Sequence, residues 1–416
     1  MNTKYALAIN TSASSRRRLL PAAICALLAI GISAPTFAGT LSFKASKIYP
    51  LGPAAVGIDV ADINNDGKQD VIGADKVNGS LSILFGKGDG TFARRINYPE
   101  TAFSLNNPDI RFLKIIAKDV SPLFPGVEVN VLTNGQISQL NLIQRPQDPP
   151  QGILVGFDGT TSGDLVDFAV EDFNHDGIFD EASASSQGFF EVDLRGKNHQ
   201  FGLNSKHIYD GGQVSVKSML TGDINLDSHI DIITLDRQAA QMNVSLGKRD
   251  GSYPTKTAYR APIGIDDATI ADLNKDGKPD VIMTSAQHNG GGISLFLGNG
   301  KGGFKTPKEF AAKSASQRPS HLAISDLNAD GNMDVVVSFL DNTVGSRFSG
   351  SNELGVFLGN GDGTFQPNTN LIVGNLPDTS TEPGQIVIKD VNQDGKPDVL
   401  VATVSGVAVL LNTNTL

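Results

Sequence analysis

The sequence predicts an all-β fold, a seven-bladed β-propeller of four-stranded antiparallel blades. Three observations carry that prediction. An acidic nine-residue loop recurs six times, with first aspartates at 62, 172, 223, 272, 326 and 390. The apolar runs between the loops are short, β-branched and nearly continuous, as in strands covered on both faces. No stretch keeps a sustained helical periodicity.

The loop Asp272-Leu273-Asn274-Lys275-Asp276-Gly277-Lys278-Pro279-Asp280 sets the pattern D-x-N-x-D-G-x-x-D. Oxygen-bearing side chains at positions 1, 3 and 5, the carbonyl of position 7 and the carboxylate of position 9 suit a hard cation. Calcium takes about six to eight oxygens at about 2.3–2.6 Å and tolerates irregular geometry. The glycine at position 6 allows a sharp turn. The expected ligand sets are Asp62, Asn64, Asp66, Lys68 and Asp70; Asp172, Asn174, Asp176, Ile178 and Asp180; Asp223, Asn225, Asp227, His229 and Asp231. They continue with Asp272, Asn274, Asp276, Lys278 and Asp280; Asp326, Asn328, Asp330, Asn332 and Asp334; Asp390, Asn392, Asp394, Lys396 and Asp398. Lys68, Ile178, His229, Lys278, Asn332 and Lys396 enter through their carbonyls. Position 9 is expected to close the shell with both oxygens. Six copies at one spacing point to about six structural Ca2+ ions. The copy at 223–231 is the weakest, because Ser228 replaces the glycine.

Taken in order, the chain opens with an export signal, residues 1–38. Arg16, Arg17 and Arg18 precede an apolar stretch from Leu19 to Ile32, and Thr36-Phe37-Ala38 offers small residues for cleavage. That stretch is too short for a confident membrane span. Ser15-Arg16-Arg17-Arg18-Leu19-Leu20 also resembles a twin-arginine signal. The general secretory route is preferred, because such loops acquire calcium after export. The sole cysteine, Cys25, lies inside this segment, so the mature chain is expected to lack disulfides. Ile24 before it does not suit a lipoprotein cleavage box, and no later segment reads as a membrane span. The expected location is secreted, periplasmic or cell-surface.

Residues 39–416 form the predicted propeller. The distance from Asp62 to Asp172 is about twice the others, so a degenerate unit is expected between them. Residues 111–131 supply it: a strand at 112–117, then Asp119, a turn and a second strand, with the later ligands lost. Seven units of about 54 residues result, a period that means a propeller or a solenoid. Each unit repeats one grammar. A strand such as Thr269-Ile270-Ala271 enters the loop, and one such as Asp280-Val281-Ile282-Met283 leaves it. A third strand follows, Ile293 to Leu297 in that unit. A turn such as Gly359-Asn360-Gly361-Asp362-Gly363-Thr364-Phe365 leads into a fourth. The last unit stops near Leu411 without a fourth strand, and Gly39-Thr40-Leu41-Ser42-Phe43 resembles the start of one. Residues 39–50 are therefore expected to complete the last blade. A ring closed in this way needs no caps, whereas a solenoid does.

The six loops, the Gly-x-Gly-Asp-Gly-Thr-Phe turns and Val71-Ile72-Gly73-Ala74-Asp75 resemble the FG-GAP/VCBS repeat family, the integrin-α-like calcium-binding propellers. The resemblance covers essentially all of 39–416 and implies the fold and the calcium. For function it implies only a range: adhesion, glycan binding or scaffolding beside enzymes. The chain departs from the family pattern at loop position 3 (Asn), at the lost loop near Asp119, and at Ser228.

Composition narrows function. The chain carries 44 acidic and 34 basic residues, a poor balance for nucleic acid or anionic membranes. Much of the acidity belongs to the loops and says little about partners. There is no Trp and there are six Tyr, so sugar-stacking platforms are sparse. The six histidines, His175, His199, His207, His229, His288 and His321, are scattered. No His-Glu-x-x-His or Gly-x-Ser-x-Gly occurs, and the Gly-rich turns lead into strands rather than phosphate-binding helices. The expected role is non-enzymatic: a monomeric binding or adhesion module for an extracellular protein or glycan. The alternative is a polysaccharide lyase or hydrolase, or its accessory scaffold, on the same propeller. The expected partner surface faces away from the calcium loops. Insertions at 287–292, 341–353 and 375–384 would meet there and offer His288, Arg347, Phe348, Glu353, Asp378 and Glu382.

Overall fold

The computed structural model describes residues 41–52, 55–75, 80–98, 112–118, 127–133, 137–143, 151–158, 165–196, 201–210, 216–285, 291–312, 317–341, 349–373, 384–403 and 405–414. All lie in one compact unit, Phe37–Leu416. The sequence-stretch readings at 1–38 and at Asp119 fall outside them, as do His288, Arg347, Phe348, Asp378 and Glu382.

Every regular element among the described residues is a strand. The first, β1 (Lys47–Tyr49), pairs with the last part of the chain. Sheet 1 holds β2 (Ala55–Ala61), β3 (Asp70–Asp75), β4 (Ser80–Leu84) and β5 (Ile96–Tyr98). Sheet 2 holds β6 (Phe112–Lys118), β7 (Glu128–Thr133), β8 (Ile137–Ile143) and β9 (Gln151–Asp158). Sheet 3 holds β10 (Leu165–Glu171), β11 (Asp180–Ser185), β12 (Phe189–Arg195) and β13 (Phe201–Asp210). Sheet 4 holds β14 (Val216–Gly222), β15 (Asp231–Asp236), β16 (Gln241–Leu246) and β17 (Thr255–Arg260). Sheet 5 holds β18 (Ala268–Ala271), β19 (Asp280–Ser285), β20 (Gly292–Phe296) and β21 (Lys308–Ala311). Sheet 6 holds β22 (Gln317–Ser325), β23 (Asp334–Asp341), β24 (Ser349–Phe357) and β25 (Thr369–Ile372). Sheet 7 runs β26 (Ile386–Lys389), β27 (Asp398–Thr403), β28 (Gly406–Leu410) and then β1.

All strand pairs are antiparallel, and the chain is an all-β propeller of four-stranded sheets. Six sheets carry the acidic loop between their first and second strands; sheet 2 does not. β1 lies outermost in sheet 7, with Lys47, Ile48 and Tyr49 opposite Val409, Ala408 and Val407. An isolated bridge, Phe43 to Asn412, extends that pairing.

The second strand of each loop-bearing sheet is buried along most or all of its length, which explains the continuous apolar runs. Side chains on both faces then pack against neighbouring sheets. Ile63, Ile72 and Ile83 of sheet 1 share a core with Ile115, Val129 and Val131 of sheet 2. Leu132 of sheet 2 packs with Leu165, Phe168 and Val170 of sheet 3. The last interface joins Val391, Leu400, Val407 and Val409 of sheet 7 to Ile58, Val71 and Leu84 of sheet 1. Burying one such side chain is worth about 1.5–3 kcal/mol.

The Gly-x-Gly-Asp-Gly-Thr-Phe turn has a packing role. Its phenylalanine meets an aromatic ring of the preceding sheet edge-on, Phe92 with Tyr49 at 5.1 Å and Phe365 with Phe310 at 4.9 Å, as does Phe304 of the variant turn Gly298-Asn299-Gly300-Lys301-Gly302-Gly303-Phe304 with Tyr259 at 5.5 Å. Such pairs add about 0.5–1.5 kcal/mol beyond burial. Gly90 in the first of these turns has φ 77°, and a Cβ there would stand 2.7 Å from the Leu411 side chain of sheet 7. Glycine therefore serves both the left-handed turn and the close approach.

β1 supplies the outer edge of sheet 7, and Tyr49 is part of its interface with sheet 1. Deleting residues 39–50 should expose the β28 edge, lower the melting temperature and promote association, read by thermal melt and size-exclusion chromatography. A truncated chain that stayed monomeric and melted like the intact one would show that sheet 7 does not depend on this strand.

Candidate metal centre

Six loops superpose in their hydrogen bonding. In the first, Asp62 Oδ1 and Asn64 Oδ1 both accept the Asp66 N–H, at 3.0 and 3.1 Å. Asp62 Oδ2 accepts the Gly67 N–H at 2.8 Å, and Asp66 Oδ1 accepts the Lys68 N–H at 3.0 Å. The same four bonds recur around Asp172, Asp223, Asp272, Asp326 and Asp390. These are Asx-type turns, the local geometry that Asp and Asn favour. Positions 1 and 3 thus bring two oxygens within hydrogen-bond reach of one amide.

Position 4 is left-handed in every loop, with φ of 53° at Asn65, 58° at His175, 62° at Leu226, 57° at Lys275, 56° at Ala329 and 60° at Gln393. A side chain there costs roughly 1–2 kcal/mol. The residue types vary too much for sequence to mark this position. Position 6 is left-handed as well, and Ser228 adopts φ 67° where the other loops use glycine.

Position 9, expected to close a metal shell with both oxygens, is also held by the protein itself. Asp70 is fully buried, and both oxygens accept amide N–H groups: Oδ2 from Ile63 at 3.0 Å, Oδ1 from Gly86 at 2.8 Å. Asp180, Asp231, Asp280, Asp334 and Asp398 repeat this, with Oδ1 held by Arg195, Gly247, Gly298, Gly359 and Asn412. Each carboxylate oxygen keeps a second lone pair for a cation. The clamp joins the loop to the end of the third strand, within two residues of its last residue.

The outer oxygen of position 5 is engaged in one of two ways. Where position 7 is lysine, the ammonium pairs with it: Lys68 to Asp66 at 3.1 Å, Lys278 to Asp276 at 2.9 Å, Lys396 to Asp394 at 3.8 Å. Where position 7 is Ile178, His229 or Asn332, the position 3 amide donates instead, at 3.3, 2.9 and 3.0 Å.

Burial pushes the ninth-position carboxyls up. Asp70, Asp231, Asp334 and Asp398 rise to about 6 and Asp180 to about 7; the two amide bonds oppose the shift, and the neighbouring loop aspartates add to it. An uncompensated negative charge of this kind is what a bound cation relieves. Among the described residues, no three acidic, imidazole or thiol side chains gather tightly enough to hold a metal ion by themselves. The mixture of carboxylate, amide and carbonyl oxygens in this donor set would suit a hard cation.

The expected partner surface is described at one residue. Glu353 is not in a loop: β23 runs to Asp341 and β24 starts at Ser349, so it stands within β24. Its carboxylate accepts from Asn370 Nδ2 at 2.7 Å. The long β-ladder, which brings Ser349 opposite Asp341, absorbs residues that sequence alone assigns to an insertion. A groove of about 460 Å³ that sequence reading missed lies between sheets 4 and 5. Tyr259, Phe296, Phe304, Pro262 and Pro307 line it, with Arg260, Lys305 and Glu309 among its polar groups.

Three stretches match the family profile described as an FG-GAP-like repeat: residues 223–283, 272–337 and 341–401. The chain carries three FG-GAP-like repeats. No curated protein matches it. Among solved structures, it resembles BBS1N in complex with ARL6DN, soaked with lead, at 10% identity and a TM-score of 0.55, covering 91% of this chain and 98% of that one. The mercury-soaked crystal of the same complex gives 10% identity, a TM-score of 0.54, and 90% and 98% coverage. At this identity the likeness concerns the fold. In these stretches the repeat unit brackets the acidic loop, since two of them begin at Asp223 and Asp272.

Two predictions separate the loop's parts. Asp280→Ala strips two buried amides of their acceptor, at about 1–3 kcal/mol each, and should destabilise the chain even in chelator. Asp276→Ala leaves that clamp intact and should lower the melting temperature mainly in calcium. Equal losses for both variants under chelation would refute the division. The second concerns pH. In chelator, the raised carboxyls make the folded chain bind more protons than the unfolded one between their values near 6–7 and the ordinary 3.8. Their contribution to stability should therefore rise as pH falls from 7 to 5, and calcium should abolish that gain. Melts at both pH values, with and without chelator, check the sign.

Proposed function

We propose that this protein is an exported propeller whose seven sheets are seven blades, stabilised by about six calcium ions and acting as a non-enzymatic binding module. The observation that carries the calcium reading is the six-fold repetition of one loop geometry around a buried, desolvated carboxylate. Were each loop to bind with a dissociation constant of ~0.1 mM at ~1 mM free calcium, it would contribute ~1.4 kcal/mol. Six such loops would together rival a typical domain's whole stability of about 5–15 kcal/mol. The leader at residues 1–38 supports export to a calcium-rich compartment.

A binding role is supported by the fold's use elsewhere: BBS1N, which shares the architecture, is crystallised in a complex with ARL6DN. For this chain the partner is proposed to be an extracellular protein or glycan. The test is a screen of immobilised glycans and extracellular proteins in calcium buffer, with a parallel thermal melt. Specific binding and a melting temperature that both fall on chelation are expected. A melt indifferent to chelator would overturn the calcium reading. New reducing ends or unsaturated sugars released from a polysaccharide would overturn the non-enzymatic one.

A further inference from the structure

Successive loops touch in a fixed register, position 4 of one against positions 6 and 7 of the next. Gln393, at position 4 in sheet 7, donates its Nε2 to the carbonyl of Gly67, at position 6 in sheet 1, at 2.7 Å. Leu226 in sheet 4 and Lys278 in sheet 5 both crowd Gly300, within 3.3 Å and 3.0 Å of where its Cβ would stand. Lys275 in sheet 5 and Asn332 in sheet 6 both crowd Gly361. At the junction of sheets 3 and 4, the register brings together His175 and His229. Their ring centroids are 5.2 Å apart and their planes are inclined by 61°.

That separation has a chemical meaning. A zinc–imidazole bond of about 2.0–2.1 Å plus about 1.1 Å to the ring centre places each centroid about 3.2 Å from the ion; at a tetrahedral angle the centroids are then about 5.2 Å apart. A second observation is independent of the first. His229 Nδ1 is buried and has no hydrogen-bond partner among the described residues. Leaving such a nitrogen unsatisfied costs about 1–3 kcal/mol, and a metal satisfies it. His175 is exposed, so the site has an entry path. The pairing also falls beside the loop with Ser228, the one of the six without glycine at position 6.

We propose that His175 and His229 form a two-imidazole site for a divalent transition ion of the zinc, copper or nickel class, bridging the loops of sheets 3 and 4. Imidazole favours these ions, whereas calcium prefers the all-oxygen loops. The two kinds of site can therefore be filled separately. Water completes the coordination, and the bridge pins two sheets on the loop face.

Zinc titrated into the intact chain with calcium in excess tests this by calorimetry and by imidazole NMR signals. One equivalent is expected, moving the signals of two of the six histidines. His175→Gln and His229→Lys install residues that sister loops already carry at those positions, in Gln393 and Lys68. Each should weaken zinc by about tenfold or more, and His175→Gln, at a position outside the calcium ligand set, should leave the calcium-loaded melt unchanged. No zinc bound, a different pair of histidines moving, or undiminished affinity in both variants would overturn the site. The NMR result holds even if a variant fails to fold, because it uses the unaltered chain.

Discussion

Both oxygens of the buried aspartate at loop position 9 are held by backbone amides, one at the start of its own loop and one at the end of the third strand. Asp70, Asp180, Asp231, Asp280, Asp334 and Asp398 are all fully buried. A carboxylate can be kept there only if its lone pairs are satisfied, and two strong amide bonds do that. The clamp fixes the loop against the end of the third strand. The remaining loop geometry follows from it: the Asx turns at positions 1, 3 and 5, the left-handed residue at position 4 and the tight turn at position 6.

The clamp leaves a net charge that hydrogen bonds offset only in part. Burial is the leading cause of the upward shift at each ninth-position carboxyl, with loop neighbours adding repulsion. Lysines at position 7 meet some of that charge in three loops, but they stand at the exposed rim beside position 5. Exposed pairs of this kind contribute little to stability. The six loops are thus organised around a charge deficit at their base, and the proposed calcium answers it.

Between sheets, apolar packing and charged groups act together. Edge-on aromatic pairs and glycines with no room for a Cβ recur from one sheet to the next, and Asp59, Asp167 and Asp267 accept the amides of Ala117, Met219 and Leu322 across three of the junctions. Variation is left to position 4, where one register admits Gln393, Leu226, Lys275 or His175. A framework this repetitive frees single positions to acquire chemistry without disturbing the fold. The groove beside Tyr259 and Phe304 belongs to the same class, since it arises at a sheet junction and not in a repeat.

The sequence by itself determined the strands, their grammar and the acidic loops, because these are local: a nine-residue ligand pattern and an apolar run are both readable within one unit. It also marked residues 39–50 as strand material without a neighbouring partner. The tertiary structure alone decided which distant residues meet. Asp334 Oδ1 finds its amide at Gly359, 25 residues away, and Glu353 lies in a strand because β24 pairs far along β23. His175 and His229 are 54 residues apart in the chain and meet edge-on in space. The histidine contact depends on how far one sheet is turned against the next. That angle is set by the summed packing of whole faces and has no local signature in the chain.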